Sequence, residues 1–125
     1  MLILASTSDK IQLVTSVAGD IDVHASWVDK DGETTFTPGR TNTIITTAAT
    51  TDIVAAPTGT IKRNVQTLSV RNVHATLSNT VTVIHTDGTN AVELESTTLA
   101  PGQRLTYDDA HGFTVRALLL TKLTV

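Results

Sequence analysis

The feature that most constrains this chain is a two-residue period in its apolar side chains. The period is clearest over residues 21–27, where apolar and polar residues alternate without exception in the order IDVHASW. Successive side chains of a strand point to opposite faces, so this run predicts a strand with one buried face. We expect Trp27 to lie in the core together with the apolar residues of the run.

The composition agrees with a protein made of strands. The chain contains 25 threonines, 13 valines and 8 isoleucines, all of them β-branched residues that suit a pleated surface. No window of about 11 residues keeps apolar side chains at the i, i+3, i+4 and i+7 positions that a helix needs. The sequence therefore predicts an all-β fold.

Similar short runs recur along the chain and are separated by turn residues. They cover residues 11–17, 34–36, 41–51, 65–73, 81–83, 91–94, 105–107 and 113–119. Asp87-Gly88 predicts a hairpin turn, because Asp-Gly tolerates the positive φ that tight turns demand. We expect Pro38-Gly39 to break the chain between two elements.

The run over residues 65–73 allows individual side chains to be placed. Its alternation puts Leu68 and Val70 in the core and leaves Arg63 and Arg71 outside. Lys62 and Arg63 are the only adjacent basic pair, and no aromatic residue lies near them to stack on a nucleic-acid base. We therefore expect this pair to be solvated where the strand begins.

Regularly spaced short strands are typical of a sandwich or a barrel. A length of 125 residues corresponds to one domain. We predict a single β-sandwich over residues 1–125, built of about eight short, mainly antiparallel strands in a jelly-roll or immunoglobulin-like arrangement. Residues 1–8 and 118–125 are candidate terminal arms of this domain.

Charge and composition exclude several classes of function. The net charge of −3 argues against nucleic acid as the main partner, because phosphate binding needs clustered positive charge. The absence of cysteine excludes disulfides, thiolate metal sites and thiol catalysis. No apolar run, including those over residues 1–5 and 117–120, is long enough to cross a membrane, and residues 1–10 lack the pattern of a signal peptide. We expect the protein to be made and folded in a cytoplasm.

The residues that carry chemistry form no recognised motif. The four histidines are not spaced as zinc ligands on one helix or strand, and we expect His24 and His85 to lie at a surface or an interface. Asp108, Asp109 and His111 share a loop that offers oxygen ligands for a divalent cation, or else form a solvated turn. The remaining histidine is His74.

A second group of acidic residues matches the start of a calcium-binding loop but not the rest of it. Asp29, Asp31 and Glu33 alternate as in an EF-hand, but the glycine at the sixth place and the glutamate at the twelfth are missing. The chain also lacks Gly-x-Ser-x-Gly and the glycine spacings that bind phosphates. We therefore assign no catalytic, cofactor-binding or metal-binding residue, and we do not expect an enzyme.

Several segments of the chain resemble one group of proteins in amino-acid sequence. These segments cover residues 2–10, 22–29, 38–43, 68–72, 85–89 and 99–107. They resemble a small protein encoded in the structural gene clusters of tailed bacteriophages. The resemblance implies a structural protein of the phage particle, and it carries over no catalytic or binding residue.

The resemblance and the chain's apolar ends lead to an assembly hypothesis. We expect a capsid decoration or cement protein in the virion, bound as a homotrimer in many symmetric copies to the major capsid protein or other virion proteins. The terminal segments would then form an assembly interface, because exposed apolar segments are stabilised when a partner covers them. The residues assigned to this interface are Leu2, Ile3, Leu4, Leu119, Leu120, Leu123 and Val125. The alternative is that both termini are edge strands of the same sandwich.

The sequence is compatible with two other functions. One is a structural role at the collar, the tail or the base of a fibre, which copy number per particle would distinguish from a head protein. The other is a module that binds glycans of the host surface. The single tryptophan and single tyrosine speak against a sugar-stacking cleft.

Overall fold

A computed structural model describes residues 1–117 and contains ten strands there, with no helix. Among these residues there is accordingly no helix long and apolar enough to cross a membrane. The strands are β1 (Leu2–Leu4), β2 (Lys10–Thr15), β3 (Ile21–Asp31), β4 (Thr35–Ile45), β5 (Thr50–Val54), β6 (Lys62–Asn72), β7 (Asn79–Thr86), β8 (Ala91–Leu99), β9 (Arg104–Asp108) and β10 (Gly112–Arg116).

The strands form two sheets in which every pair is antiparallel. One sheet has the order β10-β9-β6-β3-β4, with β1 also paired to β6, and the other has the order β5-β2-β7-β8. The predicted two-sheet sandwich is therefore confirmed. The strand number is ten and not about eight, because Leu2–Leu4 is itself a strand and residues 41–51 belong to two strands.

The core lies between the inner faces of the two sheets. Ile21, Val23 and Ala25 point into it as their alternation predicts, and so do Leu68 and Val70. The full set of buried apolar residues is Leu4, Ile11, Leu13, Ile21, Val23, Ala25, Ile45, Ile53, Val54, Val65, Leu68, Val70, Val81, Val83, Leu99, Leu105 and Tyr107. Apart from Tyr107 the core is aliphatic, as the composition indicates.

The expected break at Pro38-Gly39 is wrong, because both residues continue β4. Pro38 pairs with Val28 and Gly39 with Trp27. β4 lies at the edge of its sheet, where a proline's missing N–H costs no hydrogen bond of the ladder. The glycine is needed for space: a Cβ on Gly39 would stand 2.5 Å from Nε1 of Trp27, so the indole lies across the bare backbone.

A β-bulge in β6 changes which residues face the core. The pairing with β3 passes from Ser26 opposite Thr67 to Trp27 opposite Val65, so Gln66 is an extra residue. Inward-facing positions are even beyond the bulge and odd before it, and Val65 is fully buried. The bulge therefore turns Arg63 toward the inner side, which corrects the prediction that it lies outside.

Arg63 is held there by three groups. Its Nε and Nη2 atoms donate to the two carboxylate oxygens of Asp29 at 2.8 and 3.0 Å, and Nη1 donates to the Ala55 carbonyl at 2.9 Å. Its guanidinium carbon lies 4.5 Å from the centroid of the Trp27 ring. Trp27 packs against the core and is covered by this charged group, but it remains only half-buried. The prediction of a core tryptophan is thus wrong in degree.

Candidate functional site

Three arginines form a row across the outer face of the six-stranded sheet. Arg71 of β6 stands directly opposite Arg104 of β9, and Arg104 stands opposite Arg116 of β10. Adjacent strands are about 4.8 Å apart, so the row places the Cα atoms of three arginines within about 10 Å. We call Arg71, Arg104 and Arg116 the arginine row.

Among the described residues, Asp22 on β3 is the one acidic cross-strand neighbour of the arginine row, and it stands opposite Arg71. None of the three guanidiniums forms an ion pair there, although other basic groups of the protein do. Residues 118–125 contain no aspartate or glutamate in their sequence. Like charges directly opposite each other on neighbouring strands destabilise a sheet, so the two arginine–arginine pairings of the row do not stabilise it.

A shallow depression of about 390 Å³ lies beside the row on the same face. Arg71 and Arg104 form one side of it. Its other side chains are polar or aliphatic: Asp22, His24, Asn42, Ile44, Ser69 and Val73. Strand register explains why they meet, because β4, β3, β6 and β9 are consecutive in the sheet and these residues occupy outward-facing positions.

The polar groups of the depression are mostly free to bind. His24 Nδ1 lies 2.6 Å from Oδ1 of Asn42, so the imidazole donates at Nδ1 and, when neutral, can accept at Nε2. The Asn42 amide keeps its NH₂ donors. Asp22 forms no ion pair with another residue of the described chain, even though Arg71 is its cross-strand neighbour. The depression therefore offers donors, acceptors and positive charge together.

The other histidines have local roles in the structure. His74 Nδ1 accepts from the backbone N–H groups of Thr76 and Leu77, which closes a turn after β6. His85 is half-buried, and its Nε2 lies 3.7 Å from a carboxylate oxygen of Asp9. His24 is exposed, as expected. Only His24 belongs to the depression.

The loop that contains Asp108, Asp109 and His111 forms a hairpin turn between β9 and β10. Oδ1 of Asp108 accepts from the backbone N–H groups of Ala110 and His111, and His111 Nδ1 is 3.0 Å away. These contacts, led by the His111 backbone hydrogen bond, lower the pKa of Asp108. Asp109 instead contacts the Met1 amino group at 2.5 Å. The two carboxylates are therefore engaged separately.

The second acidic group is also divided. Asp29 is held by Arg63, and Asp31 accepts a hydrogen bond from Thr60 Oγ1 at 3.3 Å. Within residues 1–117, no three histidine or acidic side chains come together as a metal ion would require. The EF-hand beginning in the sequence thus belongs to a strand and its turn.

The residues assigned to the assembly interface are placed only in part. Leu4 is fully buried in the core, Leu2 packs against it, and Ile3 is 52% exposed on β1. Residues 2–4 thus form an edge strand paired to β6, which is the second of the two alternatives for this terminus. Leu119, Leu120, Leu123, Val125 and the candidate arm 118–125 lie outside the described residues.

The sequence alone does not reveal the arginine row, because its members are far apart along the chain. Each lies next to an apolar residue of an alternating run, which marks it as outward-facing. That signal identifies the face but not the neighbours. Strand order and register are needed to bring the three together.

Comparison of the chain with family models, with curated proteins and with solved structures finds no match.

Proposed function

We propose that the protein is a structural component of a tailed-phage virion, a capsid decoration protein that stabilises the head by binding in many symmetric copies as a homotrimer. The resemblance of six segments to small phage structural proteins supports this role. The sandwich supports it as well, because its outer surfaces are broad sheets with shallow depressions. Such surfaces suit repeated contacts between proteins.

The observation that carries the proposal is the edge of β10, which pairs only with β9 among residues 1–117. Other edges have features that discourage pairing with another chain: β4 contains Pro38, and β5 and β8 each contain a bulge, at Ile53 and Leu94. The register of β10 on β9 runs unbroken from Gly112 to Arg116, and β10 holds neither a proline nor a bulge. Within residues 1–117 it is the least protected of the longer edges.

The side chains of β10 favour the same conclusion. Val115 pairs with buried Leu105 on the inner side of the sheet, yet it is 48% exposed. The sequence that follows, over residues 118–125, is mainly apolar. A partner strand added to this edge would satisfy the free backbone groups of β10 and cover Val115. In a trimer the contact is heterologous, with β10 of one copy against another surface of the next.

The proposal is tested with Val115→Lys, which places a charge on the inner side of the β10 edge. Val92→Lys is the matched control, because Val92 is 54% exposed on β8 at the edge of the other sheet. We expect light scattering to show a trimer for the wild type and the control, and a monomer for Val115→Lys. Retention of the trimer by both variants would contradict the role of β10.

The place in the particle is tested separately by cryo-electron microscopy of the native virion. We expect density for the sandwich over the outside of the head, in a copy number in the hundreds. A few dozen copies or fewer at the collar, the tail or the fibre base would replace the decoration role with the second structural role. Absence of the protein from purified particles would overturn both.

A further inference from the structure

We infer that the depression beside the arginine row is a binding site for an acidic sugar, meaning a ring with several hydroxyl groups and one anionic group, carboxylate or phosphate. This inference goes beyond the proposed function and does not depend on it, because the residues that line the depression lie on β3, β4, β6 and β9 or just after β6, and none lies on β10. It rests on the kinds of group that the depression brings together.

The first step is the anionic group. Arg71 and Arg104 stand side by side at one wall of the depression, and neither forms an ion pair in the described chain. Guanidinium groups present planar forks of N–H donors that match carboxylate and phosphate oxygens in pairs. A bound anion would also relieve the repulsion between the two arginines. The wall is therefore suited to one anionic group.

Asp22 favours an acidic sugar over other anionic ligands. Its carboxylate faces the same depression and would repel a ligand that is anionic along its whole length, such as an acidic peptide or a nucleic acid. A carboxylate accepts hydrogen bonds only, and hydroxyl groups are donors that suit it. The ligand therefore needs hydroxyl donors close to its anionic group.

The third step is the remaining lining. Asn42 and Ser69 add an amide and a hydroxyl, and His24 adds an imidazole nitrogen, so the opposite side can bind further hydroxyls. Ile44 is 77% exposed and Val73 42% exposed at the rim, where they can cover the C–H face of a ring. The absence of aromatic residues from this lining predicts weak binding without stacking.

The size and openness of the depression indicate what part of a glycan it takes. A volume of about 390 Å³ is at the lower end of the range for small-molecule sites. Because it is open on the outer face of the sheet, a bound ring can continue into a longer chain. A single ring should bind with a Kd on the order of 1 mM, which repeated copies on one surface would strengthen.

The test is an NMR titration of the ¹⁵N-labelled full chain with three matched ligands. Glucuronate and glucose 6-phosphate carry an anionic group, and glucose carries none. We expect chemical-shift changes at the depression with at least one acidic sugar, which should bind with a Kd at least tenfold lower than that of glucose. The acidic sugar that binds more tightly identifies the preferred anionic group. Equal affinity for glucose and both acids, or no shifts with either acid up to about 50 mM, would overturn the inference.

Variants locate the binding. Arg104→Gln should weaken the acidic sugar about tenfold and leave glucose unchanged, whereas Asp22→Asn should weaken both sugars. Arg40→Gln is the control, because Arg40 is exposed on the same face but does not line the depression. All three changes are at exposed or partly exposed positions, and unchanged signals from the core will show that each variant is folded. An equal loss with Arg40→Gln would overturn the assignment to the depression.

Non-sugar anions complete the test. Acetate, inorganic phosphate, a glutamate-rich peptide and a short single-stranded DNA are titrated under the same conditions. We expect each to bind at least tenfold more weakly than the preferred acidic sugar. If the peptide or the DNA binds more tightly than the sugars, the arginine row serves a protein or a nucleic acid and the sugar inference fails. If acetate or phosphate alone binds as well, the hydroxyl contacts are absent and it fails too.

Discussion

Arg63 and Arg71 lie eight residues apart on the same strand, yet one is enclosed and the other stands free. Arg63 donates to Asp29 and to the Ala55 carbonyl and covers Trp27. Arg71 stands between Asp22 and Arg104 on the outer face and forms no ion pair within the described chain. The first arginine ties β6 to β3 and to the segment that follows β5, and the second is available to bind another molecule.

Arg63 and Arg71 face opposite sides of the sheet because of one extra residue in β6. In an unbroken strand, positions 63 and 71 would face the same side, because side chains alternate with a period of two. The bulge at Gln66 exchanges the faces of everything before it in β6. It buries Val65 and brings Arg63 to the inner side. A single inserted position therefore divides the arginines of β6 into a structural one and a free one.

Deleting Gln66 should have the largest effect, because it would return Arg63 to the outer face and expose Val65. Loss of the Val65 burial together with the Arg63 contacts should lower the free energy of unfolding by more than about 4 kcal/mol. Urea unfolding followed by Trp27 fluorescence measures it. Gln66→Ala keeps the bulge and should stay within about 0.5 kcal/mol of the wild type. If deletion and substitution cost the same, the extra residue does not decide the facing.

Replacing each arginine in turn tests the contrast directly. Arg63→Ala should lower the free energy of unfolding by about 2–3 kcal/mol, because it leaves the Asp29 carboxylate, 16% exposed, without its charged donor. Arg71→Ala should change it by less than about 0.5 kcal/mol. The emission of Trp27 should shift to the red only in Arg63→Ala, since the ring loses its cover. Equal effects of the two substitutions would contradict the division of roles.

Acid should lower the stability of the sheet at the end where β1 pairs with β6 near Arg63. The turn that follows β1 is held by Asp9, which accepts hydrogen bonds from Ala5 and Ser6. Burial alone would raise the pKa of Asp9, but hydrogen bonds from Ser6 Oγ and the Ala5 N–H, with His85 nearby, lower it below 3.8. Because the folded-state pKa is lower than the unfolded one, this stabilisation is complete above about pH 4 and is lost as pH falls through the folded value.

Asp9→Asn tests this dependence. It should cost about 1–2 kcal/mol at pH 7 and progressively less below about pH 4, where the wild type loses the same stabilisation. Urea midpoints measured across this range provide the comparison. Asp20→Asn, at an exposed carboxylate, serves as the control and should follow the wild-type curve. An undiminished difference at low pH would show that Asp9 acts through its shape and not its charge.

The parts of the fold that alternation alone determines could be predicted from the sequence. The run from Ile21 to Ala25 and the pair Leu68 and Val70 lie in the core as expected, and the Asp87-Gly88 hairpin is present between β7 and β8. Alternation fails where the chain departs from a regular strand. The bulge at Gln66 carries no marker residue such as glycine or proline, so its effect on Arg63 could not be foreseen.

The candidate site was beyond prediction for a different reason. Each member of the arginine row could be assigned to an outer face from its neighbours, but the row exists only because β6, β9 and β10 are adjacent and in register. Pro38-Gly39 shows the same limit. By local propensity these residues predict the end of a strand. The structure shows instead that the Trp27 indole needs a glycine at position 39, because a Cβ there would clash with the ring. Long-range contacts decide both, and local propensity carries no information about them.

The smallest expected effect concerns the arginine row itself. Arg104 is the middle member and faces an arginine on each side, so Arg104→Gln removes two like-charge contacts and should raise the free energy of unfolding by about 0.2–1 kcal/mol at low salt. The gain should vanish near 1 M salt, where the screening length is only about 3 Å. Arg40→Gln, away from the row, should show no such gain. Urea unfolding at about 10 mM and about 1 M NaCl measures the difference. A loss of stability in Arg104→Gln at low salt would mean that the row contributes to the fold, and the contrast with Arg63 would then disappear.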